Sequence, residues 1–199
     1  LTTIYPKARF YNIYFVIGIF KHGGTVINNE IFIGMEFFSK TRDIKQSSLN
    51  KKIRNLLMDY SDLIPLILHE QAHVNQNNKR ANTLLSKTIT EGGADFIMYL
   101  QLSSIPPIST PIYEYGMKHE YELWSQFKTD ITSEYKNVIK NWFYNYNRED
   151  IVPDLGYFIG FRICQNYYID ALYKEKALEF LLNEPDHIKI LELSNYKGK

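Results

Sequence analysis

The sequence feature that most constrains the fold is the run LILHEQAHV at residues 66–74. Apolar residues around its two histidines favour a helix with at least one buried face. Because positions i and i+4 lie on one side of an α-helix, His69 and His73 project side by side and can bind one Zn²⁺ ion. Glu70 can reach a metal-bound water without being a ligand itself. The run therefore predicts a catalytic zinc site on a helix.

The ionisable groups of this helix need partners, because a lone buried charge is costly. Seven apolar residues leave little of the helix for solvent: Leu63, Ile64, Leu66, Ile67, Leu68, Ala72 and Val74. A metal ion is one such partner. The alternative is a pair of surface histidines that bond to carbonyl groups or water.

Glu91 is the predicted third zinc ligand. A catalytic zinc ion takes three protein ligands and keeps one position for water. Glu91 follows a loop after His73, at the start of a second helix that we expect to begin near Thr90. Asp95 lies one turn further on the same face. There its carboxylate can accept a hydrogen bond from the outer nitrogen of His69 or His73.

Two alternatives compete for the third position. Thr88 and Glu91 have the spacing of a capping box, in which the glutamate only accepts a backbone N–H. Gly92 and Gly93 destabilise the start of a helix, which favours the interpretation of Glu91 as a metal ligand over the capping box. Because they lack side chains, they also let this helix pass close to the first one. His119 is a rival ligand.

The predicted chemistry is hydrolysis of peptide bonds. Zinc lowers the pKa of its bound water, and Glu70 takes the proton as hydroxide attacks the carbonyl carbon. A hydrogen-bond donor must stabilise the developing oxyanion. Tyr157 is the candidate for this catalytic role, with Tyr113, Tyr115 and His119 as the other possible donors.

Composition excludes several classes of protein. The formal net charge of +1 gives no basic footprint for nucleic acid, and no apolar run reaches the length of a transmembrane segment. Cys164 is the single cysteine, so an internal disulfide is impossible.

The length of 199 residues predicts one domain, residues 1–199. The chain starts at Leu1 rather than Met, which suggests a mature or trimmed product. The oligomeric state is left open.

Strand signals are confined to the N-terminal part. Phe10–Phe20 is rich in β-branched and aromatic residues and predicts a buried strand. A turn at 21–24 and a second strand at Ile31–Met35, with another turn at Asn28–Asn29, predict a small antiparallel sheet. We expect an extended peptide substrate to pair with an exposed edge at Ile31–Met35.

Helical periodicity dominates the rest of the chain. Beyond the two helices already described, it predicts helices at 49–60, at 117–143, after Asp154 and at 176–182. Gly156 and Gly160 are four residues apart, which lets a neighbouring helix approach closely.

These residues resemble two groups of metallopeptidases. His69-Glu70-x-x-His73 with the later Glu91-Gly-Gly-Ala-Asp95 resembles the gluzincin branch, typified by thermolysin. Gly23-Gly24, 33–37 and 156–160 are similar to an uncharacterised bacterial family of predicted zinc-dependent proteases. The resemblance implies a zincin-like α+β fold, with a small antiparallel sheet packed on a mainly helical domain. It also implies an extracytoplasmic bacterial protein that cleaves peptide or protein substrates.

The chain departs from the resemblance in two ways. It lacks the Gly-Ala-Met-Glu-Asn signature of exopeptidases and has no counterpart of thermolysin's later histidine motif. The first absence argues against an M1-type aminopeptidase. Apart from these departures, two other functions stay open. One is a non-catalytic zinc-containing binding or structural domain, and the other is a zinc hydrolase of a non-peptide amide.

Overall fold

Three short strands form a mixed sheet near the N terminus. The computed structural model describes residues 1–40, 45–77, 82–146, 148 and 150–199. The strands are β1 (Ile13–Val16), β2 (Gly24–Ile27) and β3 (Glu30–Gly34), with β3 in the centre. β3 pairs parallel with β1 and antiparallel with β2. The predicted α+β class is confirmed, and the predicted antiparallel sheet is wrong because one of the two pairings is parallel.

The turn between β2 and β3 agrees with the sequence. Asn28 and Asn29 have φ values of 52° and 65°, in the left-handed region that asparagine tolerates best among residues with a side chain. A two-residue hairpin turn of type I′ has positive φ at both positions, and its geometry matches the twist of the flanking strands. The sequence missed β2 itself, because its glycine was assigned to a turn.

The predicted buried strand at Phe10–Phe20 is wrong in length and in burial. Only Ile13–Val16 is a strand, and all four of its residues are exposed. The helix beneath the sheet, at Leu63–His73, packs against β2 and β3. The second prediction for the sheet, an exposed edge at Ile31–Met35, is also wrong because this segment forms the central strand.

Helices make up most of the remaining described chain. Short 3-10 turns lie at Met35–Phe38, Gln46–Ser48 and Tyr60–Asp62. The α-helices are α1 (Lys51–Leu56), α2 (Leu63–His73), α3 (Leu84–Leu102), α4 (Thr110–Lys118), α5 (Glu120–Asp130), α6 (Tyr135–Trp142), α7 (Leu155–Asp170), α8 (Lys174–Asn183) and α9 (His187–Ser194). Among the described residues, no helix combines the length and the apolar character needed to cross a bilayer.

The start of α3 differs from the prediction. The helix begins at Leu84 rather than near Thr90, and the hydroxyl of Thr83 caps it by accepting the N–H of Ser86 at 3.1 Å. Glu91 therefore lies in the second turn, buried, where the helix already satisfies the backbone N–H groups. The capping-box alternative for Glu91 is excluded.

The predicted helix at 117–143 is three helices in the structure. The chain breaks at His119, between α4 and α5, and again between Asp130 and Tyr135. α6 then folds back on α5: the indole of Trp142 donates to Asp130 at 2.7 Å, and its ring meets Phe127 at 5.0 Å. Both helices point apolar residues into one core, so the continuous stripe in the sequence did not show the break.

α3 and α7 form the centre of the main hydrophobic core and touch backbone to backbone. A Cβ atom on Gly160 would lie 1.9 Å from the carbonyl oxygen of Thr88, and one on Gly92 would lie 2.3 Å from the backbone nitrogen of Phe161. The predicted close approach at Gly160 is confirmed. Gly92 faces α7, so the prediction that Gly92 gives room to α2 is wrong.

Candidate metal centre

His69 and His73 come together on the face of α2 that points to α3. Their Nε2 atoms lie 3.0 Å apart. The Oε2 atom of Glu91 lies 3.5 Å from the first of these nitrogens and 3.4 Å from the second. Ligands that share one zinc ion at bond lengths of about 2.0–2.1 Å are separated by roughly 3.3 Å in a tetrahedral site. The three side chains therefore match the donor spacing of a metal centre.

A carboxylate fixes the protonation of His69. Its Nδ1 atom lies 2.7 Å from Oδ1 of Asp95, which can only accept, so Nδ1 carries the proton. The other oxygen of Asp95 accepts the hydroxyl of Tyr113 at 2.7 Å. Both partners are buried, which holds the imidazole in one orientation.

An amide fixes the protonation of His73. Its Nδ1 atom lies 2.7 Å from Oε1 of Gln76, whose Nε2 group donates to the carbonyl oxygen of Thr90 at 2.8 Å. That second bond sets which end of the amide faces the ring. His73 therefore also carries its proton on Nδ1.

The two Nε2 atoms, which carry lone pairs, consequently lie only 3.0 Å apart. Two acceptors at this distance need a positive species between them, either a proton or a metal ion. The carboxylate of Glu91 adds negative charge to the same point. The donor set of two imidazole nitrogens and one carboxylate oxygen suits zinc.

The ionisable groups of the cluster shift the pKa values of one another. Burial alone would lower the pKa of His69, but hydrogen bonds to Asp95 and Glu91 outweigh it and hold that pKa well above its usual value. Burial alone would raise the pKa of Glu91, but the charge of His73 and the hydrogen bonds from both histidines hold that pKa well below its usual value.

Lys87 is a member of the cluster that the sequence did not reveal. Its Nζ group, one turn before Glu91 on α3, donates to Oε1 of that carboxylate at 2.8 Å. Oε2 is left to face the histidines. The ammonium group also lies 5.0 Å from the ring centroid of Tyr144. Lys87 thus orients the carboxylate and neutralises part of its charge.

Glu70 lines a cavity of about 770 Å³, together with both histidines. β2 crosses directly over it: a Cβ atom on Gly24 would lie 2.5 Å from Oε1 of Glu70. Only glycine allows this approach. The sequence placed Gly24 in a turn and so missed its contact with the site.

Tyr157 also lines this cavity. Its ring centroid lies 6.1 Å from that of His69. Burial, with the negative charges of Glu91 and Asp154 nearby, raises the pKa of its hydroxyl well above the usual value. The other proposed donors do not line this cavity: Tyr113 donates its hydroxyl proton to Asp95, and the rings of Tyr115 and His119 form a tilted pair with centroids 4.3 Å apart.

Comparison with known proteins gives one family. A family model described as the gliding motility protein GldB, and labelled as a lipoprotein family, matches residues 1–198. No curated protein and no solved structure matches the sequence. The label agrees with the expected extracytoplasmic or membrane-anchored location in a bacterium.

This match contradicts the resemblance to gluzincins and to the family of predicted zinc-dependent proteases. The predicted metallopeptidase class and peptide hydrolysis are wrong, because the matched family is one of motility proteins. The match supports neither alternative, the non-catalytic zinc domain or the amide hydrolase, as the function of the chain. Glu70 was predicted to act as base and Tyr157 as oxyanion donor in that hydrolysis, so the match gives no support to either role.

Proposed function

The chain belongs to the family of the gliding motility protein GldB, and on this premise we propose that it acts in gliding motility from outside the cytoplasm of a bacterium. The observation that supports this is the extent of the match, which covers residues 1–198 of the 199 in the chain. A match of that length includes the sheet, the metal-ligand cluster and the C-terminal helices.

Deletion of the gene in the bacterium that encodes the chain tests this function. We expect the deletion to abolish or strongly slow the movement of single cells on a surface, measured by time-lapse microscopy, and the wild-type gene to restore it. A deletion strain that glides at wild-type speed would contradict the proposal. Protease treatment of intact spheroplasts tests the location, since an extracytoplasmic chain is digested there and a cytoplasmic marker is not.

We further propose that His69, His73 and Glu91 bind a zinc ion in this protein. The support is the pair of Nε2 atoms that lie 3.0 Å apart, with a carboxylate oxygen of Glu91 3.4 Å from that of His73. The ion supplies positive charge there. Asp95 and Gln76 hold the two ring protons outward, so both imidazoles present neutral donor nitrogens.

Metal analysis of the purified protein tests the zinc site. We expect about one zinc ion per chain by mass spectrometry of the metals, because the ligand atoms of three residues lie within 4.8 Å of one another. His73→Ala removes one ligand and should lose the ion. A wild-type protein that neither contains zinc nor takes it up in dialysis would overturn the site.

The zincin-like fold stays a prediction, supported by the two helices that carry these ligands.

A further inference from the structure

We propose that Tyr113 on α4 is a positioning residue of the zinc site, which acts through Asp95 to hold His69 in place for the ion and so raises the affinity for zinc. This role rests on the zinc ion proposed above. Asp95 lies between Tyr113 and the ligand, so Tyr113 would not touch the ion and its effect is transmitted by hydrogen bonds.

A continuous line of hydrogen bonds runs from α4 to the ligands. The hydroxyl of Tyr113 donates to Oδ2 of Asp95 at 2.7 Å, and Nδ1 of His69 donates to Oδ1 of the same carboxylate at 2.7 Å. The far nitrogen of that imidazole, Nε2, lies 3.0 Å from Nε2 of His73 and 3.5 Å from Oε2 of Glu91. A displacement of the Asp95 carboxylate therefore reaches the metal position through a single imidazole ring.

Two donors on different oxygens fix the plane of the Asp95 carboxylate. The last torsion of an aspartate side chain has a broad energy minimum, so one hydrogen bond sets the plane only loosely. His69 holds one oxygen, and the hydroxyl of Tyr113 holds the other. With both donors in place, the carboxylate cannot rotate without breaking a bond, and the direction of the Nδ1–H group of His69 is fixed with it.

Water is a poor substitute for the Tyr113 hydroxyl. Tyr113, Asp95 and His69 are only 7%, 6% and 8% exposed. Burial and the charge of Asp95 raise the pKa of Tyr113 well above its usual value, so the hydroxyl keeps its proton and acts as the donor. Loss of this donor would leave one oxygen of a buried carboxylate without a partner among the described residues, and hydrogen bonds to charged groups are the strong ones.

The ring of Tyr113 is itself held by α7. Its centroid lies 5.1 Å from that of Phe161 and 5.9 Å from that of Phe158, and both pairs are close to perpendicular. Gly116, one turn further on α4, lets the two helices approach, since a Cβ atom there would lie 2.4 Å from the ring of Phe158. α7 also packs on the backbone of α3, which carries Asp95. The hydroxyl is therefore held at a fixed position in the main core.

A role in stability alone is the competing explanation, and Tyr196 gives the comparison for it. The hydroxyl of Tyr196 donates to Oε1 of Glu120 at 2.8 Å, and both residues are buried. This carboxylate also accepts from Arg162, at 2.7 Å, rather than from a histidine. Phenylalanine in place of either tyrosine removes one hydroxyl donor from a buried carboxylate, but of the two only Tyr113 is connected to the metal position.

Zinc affinities of the Tyr113→Phe and Tyr196→Phe full chains, measured by competition with a chromogenic chelator, separate the two explanations. We expect Tyr113→Phe to weaken zinc binding by about three- to tenfold, less than is typical of a residue that touches a metal ligand. Tyr196→Phe should bind zinc within about twofold of the wild type, because distant sites act independently. Phenylalanine keeps each ring in place, and urea unfolding of the metal-free proteins should show a similar loss of stability for both variants.

The imidazole protons give a readout that a loss of stability alone does not move. In zinc-loaded protein with isotope-labelled histidine, we expect NMR to show faster exchange of the Nδ1 proton of His69 with water in Tyr113→Phe, because the carboxylate that covers it is held less firmly. The Nδ1 proton of His73, which is bonded to Gln76, is the internal control and should not change. Tyr196→Phe should leave both protons as they are.

A double-mutant cycle tests the route through Asp95. In an Asp95→Asn background, Tyr113→Phe should weaken zinc binding by less than about twofold, because the charged group that the hydroxyl holds is gone. Equal losses in the two backgrounds would show that Tyr113 acts by another route and would overturn the proposal.

A measurement on the wild type needs no variant. The hydroxyl proton of Tyr113 should shift in the NMR spectrum when zinc is added to the metal-free protein, because Tyr113, Asp95 and His69 share one line of bonds. The hydroxyl proton of Tyr196 should not shift. A Tyr113 resonance that is unchanged by zinc would contradict the role.

The remaining outcomes distinguish a failure of Tyr113 from a failure of the zinc site. Zinc binding by Tyr113→Phe that equals or exceeds that of the wild type would overturn the role of Tyr113 and leave the zinc site intact. Equal weakening by Tyr113→Phe and Tyr196→Phe would reduce the role to general stability. A wild-type protein that binds no zinc would overturn the zinc site itself, and the role of Tyr113 with it.

Discussion

Asp95 and Gln76 decide what the two imidazoles of the proposed zinc site can do, because each accepts a hydrogen bond from the Nδ1 group of one histidine. Neither residue would touch the ion. Both nonetheless fix the tautomers that leave two Nε2 lone pairs facing one point. The sequence indicated Asp95, since it lies four residues after Glu91. Gln76 could not be found, because it follows the end of α2, where helical spacing no longer applies.

At the residue scale we predict that Asp95→Asn weakens zinc binding about 10- to 100-fold, the range typical for removal of a charged partner behind a metal-ligating histidine. The amide keeps the shape of the carboxylate but lacks its charge, so it polarises His69 less. Competition with a chromogenic chelator measures the affinity. Asp170→Asn is the matched control, because Asp170 is exposed at the end of α7. Equal affinities for the two variants would contradict the role of Asp95.

A second residue-scale prediction concerns Lys87. Lys87→Met retains most of the aliphatic stem but removes the ammonium group that holds Oε1 of Glu91 at 2.8 Å. We expect weaker zinc binding, by about tenfold, because the carboxylate is freer to turn away from the histidines. Lys128→Met, on the surface of α5, is the control. A Lys87→Met protein with wild-type affinity would show that Glu91 is oriented without it. Lys87 was hidden in the sequence because the predicted helix began after it.

At the scale of elements, the contact between α3 and α7 places Glu91 relative to the histidines of α2. The sequence predicted α7 and its glycines well, because Pro153 and Asp154 mark its start and the apolar spacing is regular. It failed where local pattern and tertiary packing diverge. The stripe at 117–143 is continuous although the helix breaks twice, and β1 has the composition of a buried strand although it lies at an open edge.

We predict that Gly160→Ala lowers the free energy of unfolding by about 3 kcal/mol or more, since its Cβ atom would meet the backbone of α3 rather than a movable side chain. Gly93→Ala is the matched control on α3. Its Cβ atom would make ordinary contacts, 3.4 Å from the Cys164 sulfur, and alanine favours a helix, so we expect a change within about 1 kcal/mol. Urea unfolding of the metal-free proteins measures both. Similar stabilities for the two variants would show that α3 and α7 can separate without cost.

At the scale of the whole molecule, the described chain has two hydrophobic clusters. The larger one lies among the helices around α3 and α7, and the smaller one lies between the sheet and α2. The metal-ligand cluster joins α2 to α3, so an ion there ties the two regions together. The single domain at 1–199 stays a prediction.

We predict that EDTA lowers the melting temperature of the zinc-loaded protein by about 10 °C. A ligand present at 1,000 times its dissociation constant stabilises by about 4 kcal/mol, and a chain of this size shifts by about 2–4 °C for each kcal/mol. Scanning calorimetry measures the difference. The His73→Ala protein should melt at the same temperature with and without EDTA, and an equal EDTA effect on both proteins would place the bound ion elsewhere.

Helices that touch through their backbones cannot slide past each other, and this has a consequence for how the protein would take up the proposed zinc ion. Glu91 stands beside such a contact, and hydrogen bonds already hold both imidazoles in place. The ligand side chains therefore lose their conformational freedom when the chain folds, and little more is lost when the ion binds. The empty and loaded forms should superimpose closely, and capture of the ion should proceed without a large rearrangement of the chain.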